Sequence, residues 1–146
     1  MLDFSDIDVG FCLPPLRKPP ITRATLAYYC GASNDHNPVH VDSDYARAVG
    51  KDDVFAHGML SMAYLGQMLT QWVPQQAIVS FEVKFVTMVR VGDEITCQGE
   101  VVEKISTQAG VLHRLKLRAR DQYGEIKLSG EAVVREPRPL NKVAGD

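Results

Sequence analysis

Residues 58–73 hold Met59, Leu60, Met62, Ala63, Tyr64, Leu65, Met68, Leu69, Trp72 and Val73, apolar side chains spread round most of a helix. A helix that is apolar nearly all round has no face to give to water, so the rest of the chain must enclose it. Gly58 marks its start and Pro74 its stop, and at ~1.5 Å per residue it spans about 24 Å. A chain of 146 residues fits one domain, and chains of this size hide roughly 68–70% of their unfolded surface, enough to cover such a helix. One domain is therefore expected over 1–136, followed by a flexible tail at 137–146 that carries Pro137 and Pro139 and little apolar content.

The enclosure is written after residue 77, where the apolar period changes from helical to alternating. Phe81, Val83, Phe85 and Val89 alternate with Glu82, Lys84 and Met88, which predicts a strand with one wet face. A turn at Val91-Gly92-Asp93 leads to a second strand at about 94–105, with Ile95, Cys97, Val101 and Ile105 on its inner side. Gly110 marks a hairpin, after which Leu115, Leu117 and Ala119 point inward and Arg114, Lys116, Arg118 and Arg120 outward. A two-residue turn at Gln122-Tyr123 leads into the last strand, with Ile126, Leu128, Ala132 and Val134 inward. That turn sets a register pairing Arg120 with Glu125 and Arg114 with Glu131, so the cationic row is expected to be a solvated charge ladder.

Upstream of the long helix the signals are punctuation. Pro14, Pro15, Pro19 and Pro20 restrict residues 10–20 to an edge or irregular element. Thr22 reads as the N-cap of a helix reaching about Ala32 with Leu26, Tyr29 and Cys30 on its apolar stripe. Asp42 reads as the cap of a short helix stopped near Gly50, and 51–57 as a polar connection. Net charge −2 and a pI near 6.1 supply no basic field for nucleic acid or an anionic membrane. Cys12, Cys30 and Cys97 are an odd number without metal spacing, which suits a reducing cytoplasm, where they read as buried inert thiols. No signal-peptide pattern opens the chain and no apolar run reaches the ~20 residues of a membrane helix.

Chemistry concentrates in residues 28–60, which contain three of the four histidines. Asp35 and His40 flank Asn37-Pro38, and the proline biases Asn37 away from helix, so the segment reads as a pinned loop. The residue types leave several chemistries open. His36 and His40, with Asp35, Asp42 and His57 nearby, are a candidate metal set, but Pro38 breaks the helix their spacing would need. Cys30 is a nucleophile type, yet it lies on an apolar stripe. Asp35 and His40 can form a structural pair, or hold a water together for general acid–base work. Gly58 adds a second element, since its N–H and that of Met59 are free donors at a helix N-terminus and can stabilise charge on a thioester carbonyl oxygen.

Tyr29, Ser33, Asp35, Asn37-Pro38, His40, Asp42, Ala46 and Ala56-His57-Gly58-Met59-Leu60 resemble the signature of the (R)-specific enoyl-CoA hydratases and MaoC-like dehydratases. Val91-Gly92-Asp93-Glu94 and Ser129-Gly130-Glu131-Ala132 resemble that family's later strands, so the likeness covers roughly residues 5–135. The resemblance implies an α+β hotdog fold, a long helix wrapped by an antiparallel sheet, agreeing with the periodicity. It implies reversible syn addition of water to a trans-2-enoyl thioester of coenzyme A or an acyl carrier protein, with Asp35 and His40 as the catalytic pair and Gly58 as oxyanion donor. Ser33, Asn37, Pro38 and His57 then shape the loop, Met59, Met62 and Tyr64 are candidate acyl-pocket residues, and no metal or organic cofactor is required. At least a dimer is implied, as a homodimer or beside a second hotdog subunit, and thioester hydrolysis is the rival chemistry. One departure stands at position 34, often glycine in the family and here Asn34, which bears on loop conformation rather than on chemistry.

Overall fold

The computed structural model describes residues 3–137, so most of the expected tail at 137–146 lies outside the described residues. The described residues form five strands and three α-helices in the order β1 (Leu16–Arg17), α1 (Arg23–Ser33), α2 (Ser43–Ala48), α3 (Gly58–Trp72), β2 (Ile78–Phe85), β3 (Thr96–Thr107), β4 (Gly110–Arg120) and β5 (Ile126–Arg135). All strand pairs are antiparallel, and the sheet order β1-β3-β4-β5-β2 leaves the two-residue β1 and the longer β2 at the edges. The proline-rich start is thus an edge element, as Pro demands. This is the α+β hotdog arrangement, a long helix against a curled antiparallel sheet.

Helix α1 begins with a reciprocal capping box between Thr22 and Thr25 and buries Leu26 and Cys30. Asp42 caps α2 by accepting from the N–H groups of Asp44 and Tyr45. Helix α3 packs Leu60, Leu65, Met68, Leu69 and Trp72 into the core with Cys97, Val101, Leu115, Leu117, Leu128, Ala132 and Val134. Full burial of such side chains stabilises by roughly 1.5–3 kcal/mol each, which makes α3 the anchor of the fold.

The enclosure is incomplete, which corrects the sequence expectation. Met59 is 51% exposed, and Ala63, Gln67, Thr70 and Gln71 are exposed with it, so α3 keeps one face toward solvent in the single chain. The connection 51–57 is likewise less polar than expected, because Val54, Ala56 and His57 are buried. Strand β2 stops at Phe85, and Val89 belongs to a following irregular segment rather than to that strand.

Two bulges shift what alternation predicts. One falls between Val101 and Glu103, so Val101 pairs with Leu115 while Ile105 pairs with Leu112, putting Ile105 on the outer face rather than beside Val101. The turn closes with the Asp121 N–H on the Glu125 carbonyl, over three residues rather than the expected two, and sets Arg120 across from Ile126; the other bulge, between Ala119 and Arg120, adds one more residue and puts Glu131 across from Lys116, not Arg114. Arg114 still reaches Glu131 diagonally at 3.5 Å and holds Glu103 at 2.8 Å, while Arg120 donates to the Gly124 carbonyl. The ladder therefore exists at Arg114, in a register displaced by the turn and the bulge together.

Lys127 escaped the sequence reading altogether. Its side chain is 4% exposed, and its ammonium contacts Glu125 at 2.7 Å, Asp121 at 3.4 Å and Asp93 at 3.6 Å and donates to the Met88 carbonyl at 2.9 Å. The Lys127 carbonyl in turn accepts from the N–H groups of Val86 and Thr87. Segment 86–90 is thereby fastened to β5, and it forms one wall of the site described next.

Candidate active site

The loop after α1 is built by short polar side chains that satisfy its own backbone. Ser33 Oγ donates to the Tyr29 carbonyl at 2.6 Å and accepts from the Asp35 N–H at 3.1 Å. Asn34 ends the helix at φ 60°, ψ 18°, a left-handed position where glycine is favoured and asparagine is tolerated. The departure at this position thus keeps the turn. Asn37 caps a short 3₁₀ turn, Pro38–His40, by accepting from the Val39 N–H at 3.2 Å.

These contacts aim Asp35 and His40 at each other. Asp35 Oδ1 accepts from the Asn37 N–H at 3.2 Å, leaving Oδ2 facing His40 Nε2 at 4.0 Å. His40 Nδ1 lies 2.7 Å from the Phe55 carbonyl, and because a carbonyl only accepts, Nδ1 carries the proton. Nε2 of the neutral ring is then an acceptor, as is the carboxylate. The 4.0 Å gap is beyond direct hydrogen bonding and is a spacing one bridging water can span. His40 is buried, whereas the Asp35 side chain is half exposed, so the pair lies at the rim of a cleft.

His57 couples this loop to α3. Its Nε2–H donates to the Asp35 carbonyl at 3.2 Å, Cys30 Sγ lies 3.5 Å from the same nitrogen, and its ring stacks on His40 with centroids 3.8 Å apart. Burial holds its pKa below the usual imidazole value and the nearby His40 adds to this, outweighing the Asp35 carbonyl, which favours the charged form. Tyr29 packs edge-on against His57, and its phenol is pushed up by burial and by the Asp35 charge.

Helix α3 starts immediately after His57 with no side-chain cap, and the Gly58 and Met59 N–H groups meet no protein acceptor among the described residues. A Cβ at Gly58 would stand 2.9 Å from the Phe85 ring, so glycine is what lets the β2 end lie across the helix start. The cleft, about 370 Å³, is lined by Asp35, His40, Gly58 and Met59 from one side and by Phe85, Val86, Thr87, Met88 and Leu128 from the other.

The structure thus gathers Asp35, His40, His57, Gly58 and Met59, with Ser33, Asn37 and Pro38 in the supporting turn. Met62 is partly buried against the core and Tyr64 lies under the Lys18 ammonium, so neither lines this cleft. His36 is exposed and Asp42 caps α2, so the wider metal set does not assemble. Asp35, His40 and His57 do place ligand atoms within 4.8 Å of one another. Stacked rings, however, keep their lone pairs in separate near-parallel planes, which disfavours convergence on an ion ~2.0–2.1 Å from each. Cys30 is buried behind His57 and is not among the cleft-lining residues. Sequence reasoning missed Phe55, whose carbonyl sets the His40 tautomer, and the 85–89 wall.

Comparison with known proteins bears on the family and the fold. Residues 14–120 match the MaoC-like domain family. An (R)-specific enoyl-CoA hydratase from Rhodospirillum rubrum is 30% identical over 119 residues, covering 80% of this chain and 81% of that protein. One from Aeromonas caviae is 30% identical over 116 residues, covering 78% and 85%. The unliganded R-hydratase from Pseudomonas aeruginosa superposes with a TM-score of 0.80 at 27% identity, covering 93% of this chain and 86% of that one. No helix among the described residues is long and apolar enough to cross a membrane. With a matched segment spanning most of the chain and relatives that are hydratases, this protein belongs to the MaoC-like hydratase and dehydratase family.

Proposed function

We propose that this protein is an (R)-specific enoyl thioester hydratase acting reversibly on trans-2-enoyl groups, with coenzyme A the preferred carrier. The observation that carries the reading is the facing of two acceptors, His40 Nε2 and Asp35 Oδ2, 4.0 Å apart beside a helix start with free N–H groups. Two acceptors at that spacing take both hydrogens of one water and turn its oxygen lone pair toward the substrate. The oxygen bonds to C3 as one O–H proton passes to the pair, and the π electrons move onto the thioester oxygen. Gly58 N–H stabilises that developing oxyanion, an effect worth about 2.7–4 kcal/mol where single donors have been removed in other enzymes. The proton returns to C2 from the same side, giving syn addition and restoring both residues.

His57 serves as a positioning residue, holding the Asp35 backbone and supporting the His40 ring. Exposed Val79, Phe85, Val86 and Met88 on and beside the free edge of β2, with Met59 next to them, support assembly with a second hotdog chain across the cleft. Native mass measured on the preparation used for kinetics tests that assembly, and a monomer with full activity would refute it.

The decisive experiment is hydration of trans-2-enoyl-CoA, followed both by loss of the conjugated double bond and by thiol release. Asp35→Asn and His40→Ala are each expected to lower the rate about 10²–10⁴-fold with unchanged thermal melting. Near-normal hydration by both variants, or thiol release in place of double-bond loss, would overturn the proposal.

A further inference from the structure

A second cleft of about 370 Å³ adjoins the catalytic one, bordered by Lys51, Asp52, Asp53, Phe55, Met88 and Arg90. Phe55 and Met88 line both clefts, so they form the divide between them. The divide is a built element, since Phe55 pairs with Arg90 as an antiparallel bridge and the Ala56 N–H donates to the Val89 carbonyl at 2.8 Å. Phe55 also holds His40 through its carbonyl and lies edge-on to that ring, with centroids 5.1 Å apart. On the second-cleft side, the Lys51 ammonium stands 5.9 Å from the centre of the Phe55 ring.

The charges of this second cleft are unevenly matched. Asp53 is taken up by Arg23, Ser43 and the Val54 N–H, which hold its carboxyl well below the usual range. The Lys51 ammonium and Arg90 guanidinium have no carboxylate within ion-pair distance among the described residues, and Asp52 is the one remaining acid on the rim. Two free cations thus flank a mostly apolar divide that leads to the catalytic pair, in a chain whose net charge is −2.

We propose that the second cleft seats the phosphate of a phosphopantetheine arm, with Lys51 and Arg90 on the phosphate and the pantetheine chain crossing Phe55 and Met88 to bring the thioester to Asp35 and His40. The inference rests on the thioester reading above. Coenzyme A and the prosthetic arm of an acyl carrier protein share this chemistry, and both end in the same thiol.

The test compares wild type with Lys51→Ala, Arg90→Ala and the double variant on one enoyl group carried by coenzyme A, by acyl carrier protein and by phosphate-free pantetheine. The double variant is expected to raise KM roughly 3–30-fold on phosphate-bearing substrates, the span of two solvent-exposed charge contacts, and to change either parameter on enoyl-pantetheine by less than about twofold. Calorimetric titration with coenzyme A should show the same weakening. An effect on both carriers, or on coenzyme A where the wild type does not use the carrier protein, supports the seat, and an effect on coenzyme A beside unaltered turnover of the carrier protein overturns it, because the cations would then hold phosphates that the arm lacks. No effect on either carrier, an equal effect on the phosphate-free thioester, or an effect confined to the carrier protein overturns it. A wild type that hydrates none of the three refutes the thioester reading itself, whereas active wild type with unaltered variants refutes only the phosphate seat.

Discussion

Replacing Lys127 with Met removes the charge that fastens the cleft wall while keeping the packing of the stem. Asp93 and Asp121, whose side chains are 11% and 6% exposed, would lose their shared cation. Breaking a buried pair by removing one partner costs about 3–5 kcal/mol. Glu125 is half exposed and water replaces its contact, so the expected loss is near the lower end, about 3 kcal/mol at pH 7. That is a large share of the roughly 5–15 kcal/mol that holds an ordinary domain. The pH dependence follows from the shifts. Burial disfavours the Lys127 ammonium, but its hydrogen bond to Glu125 and the Asp93 and Asp121 charges outweigh this and raise its pKa. Burial raises Asp121, yet the Glu125 and Tyr123 N–H groups and Lys127 prevail and lower it, and Lys127 lowers Glu125. Depressed carboxyls stabilise above their ordinary values near 4 and lose that contribution as pH falls through their folded values. A raised lysine stabilises below its ordinary value and loses this as pH climbs through its folded one. The difference between wild type and Lys127→Met in urea denaturation should therefore be full at pH 7 and shrink toward pH 3, and Lys127→Arg should restore part of it. A difference under about 1 kcal/mol at pH 7, or one independent of pH, would refute the account.

Other consequences are sharper still in geometry. Gly58→Ala places a methyl 2.9 Å from the Phe85 ring and is expected to lower the hydration rate about tenfold; adding Phe85→Ala should recover most of it, and failure to do so would exclude the steric cause. Gly130→Ala would set a Cβ 2.1 Å from the Glu82 carbonyl oxygen in the adjacent backbone, so a loss of at least about 3 kcal/mol or failure to fold is expected, read from soluble yield and thermal melting. Wild type should lose stability below about pH 6.5, because buried His57 has a depressed pKa and the unfolded chain binds its proton first; His57→Gln should flatten the pH 5–7 part of that profile.

Several parts of the site were legible in the chain order. The Thr22 and Asp42 caps, the proline-marked turn and the apolar run after Gly58 are local features, set by side chains within a few residues of the backbone they satisfy. Asp35 and His40 belong to the same short loop, so a pattern of residues could identify them. The Arg114 ladder was misplaced by two residues, one because the turn before β5 closes over three residues instead of two and one because of a bulge, an extra residue whose position no alternation announces. Met62 and Tyr64 stand outside this cleft while Met59 lines it, because a helix apolar on most sides does not say which side meets a given cleft.

By itself the sequence determined the fold class, since one helix apolar round most of its circumference, followed by alternating strands, leaves few ways to bury it. It also singled out the acid, the imidazole and the helix-start glycine. Only the tertiary structure decided how they act together: Phe55, fifteen residues beyond His40, chooses the tautomer, and His57 stacks one ring on another. Buried Lys127 carries the opposite wall, reaching Met88 from 39 residues away. These contacts join segments far apart in the chain, and their geometry exists only once the core has brought the segments together.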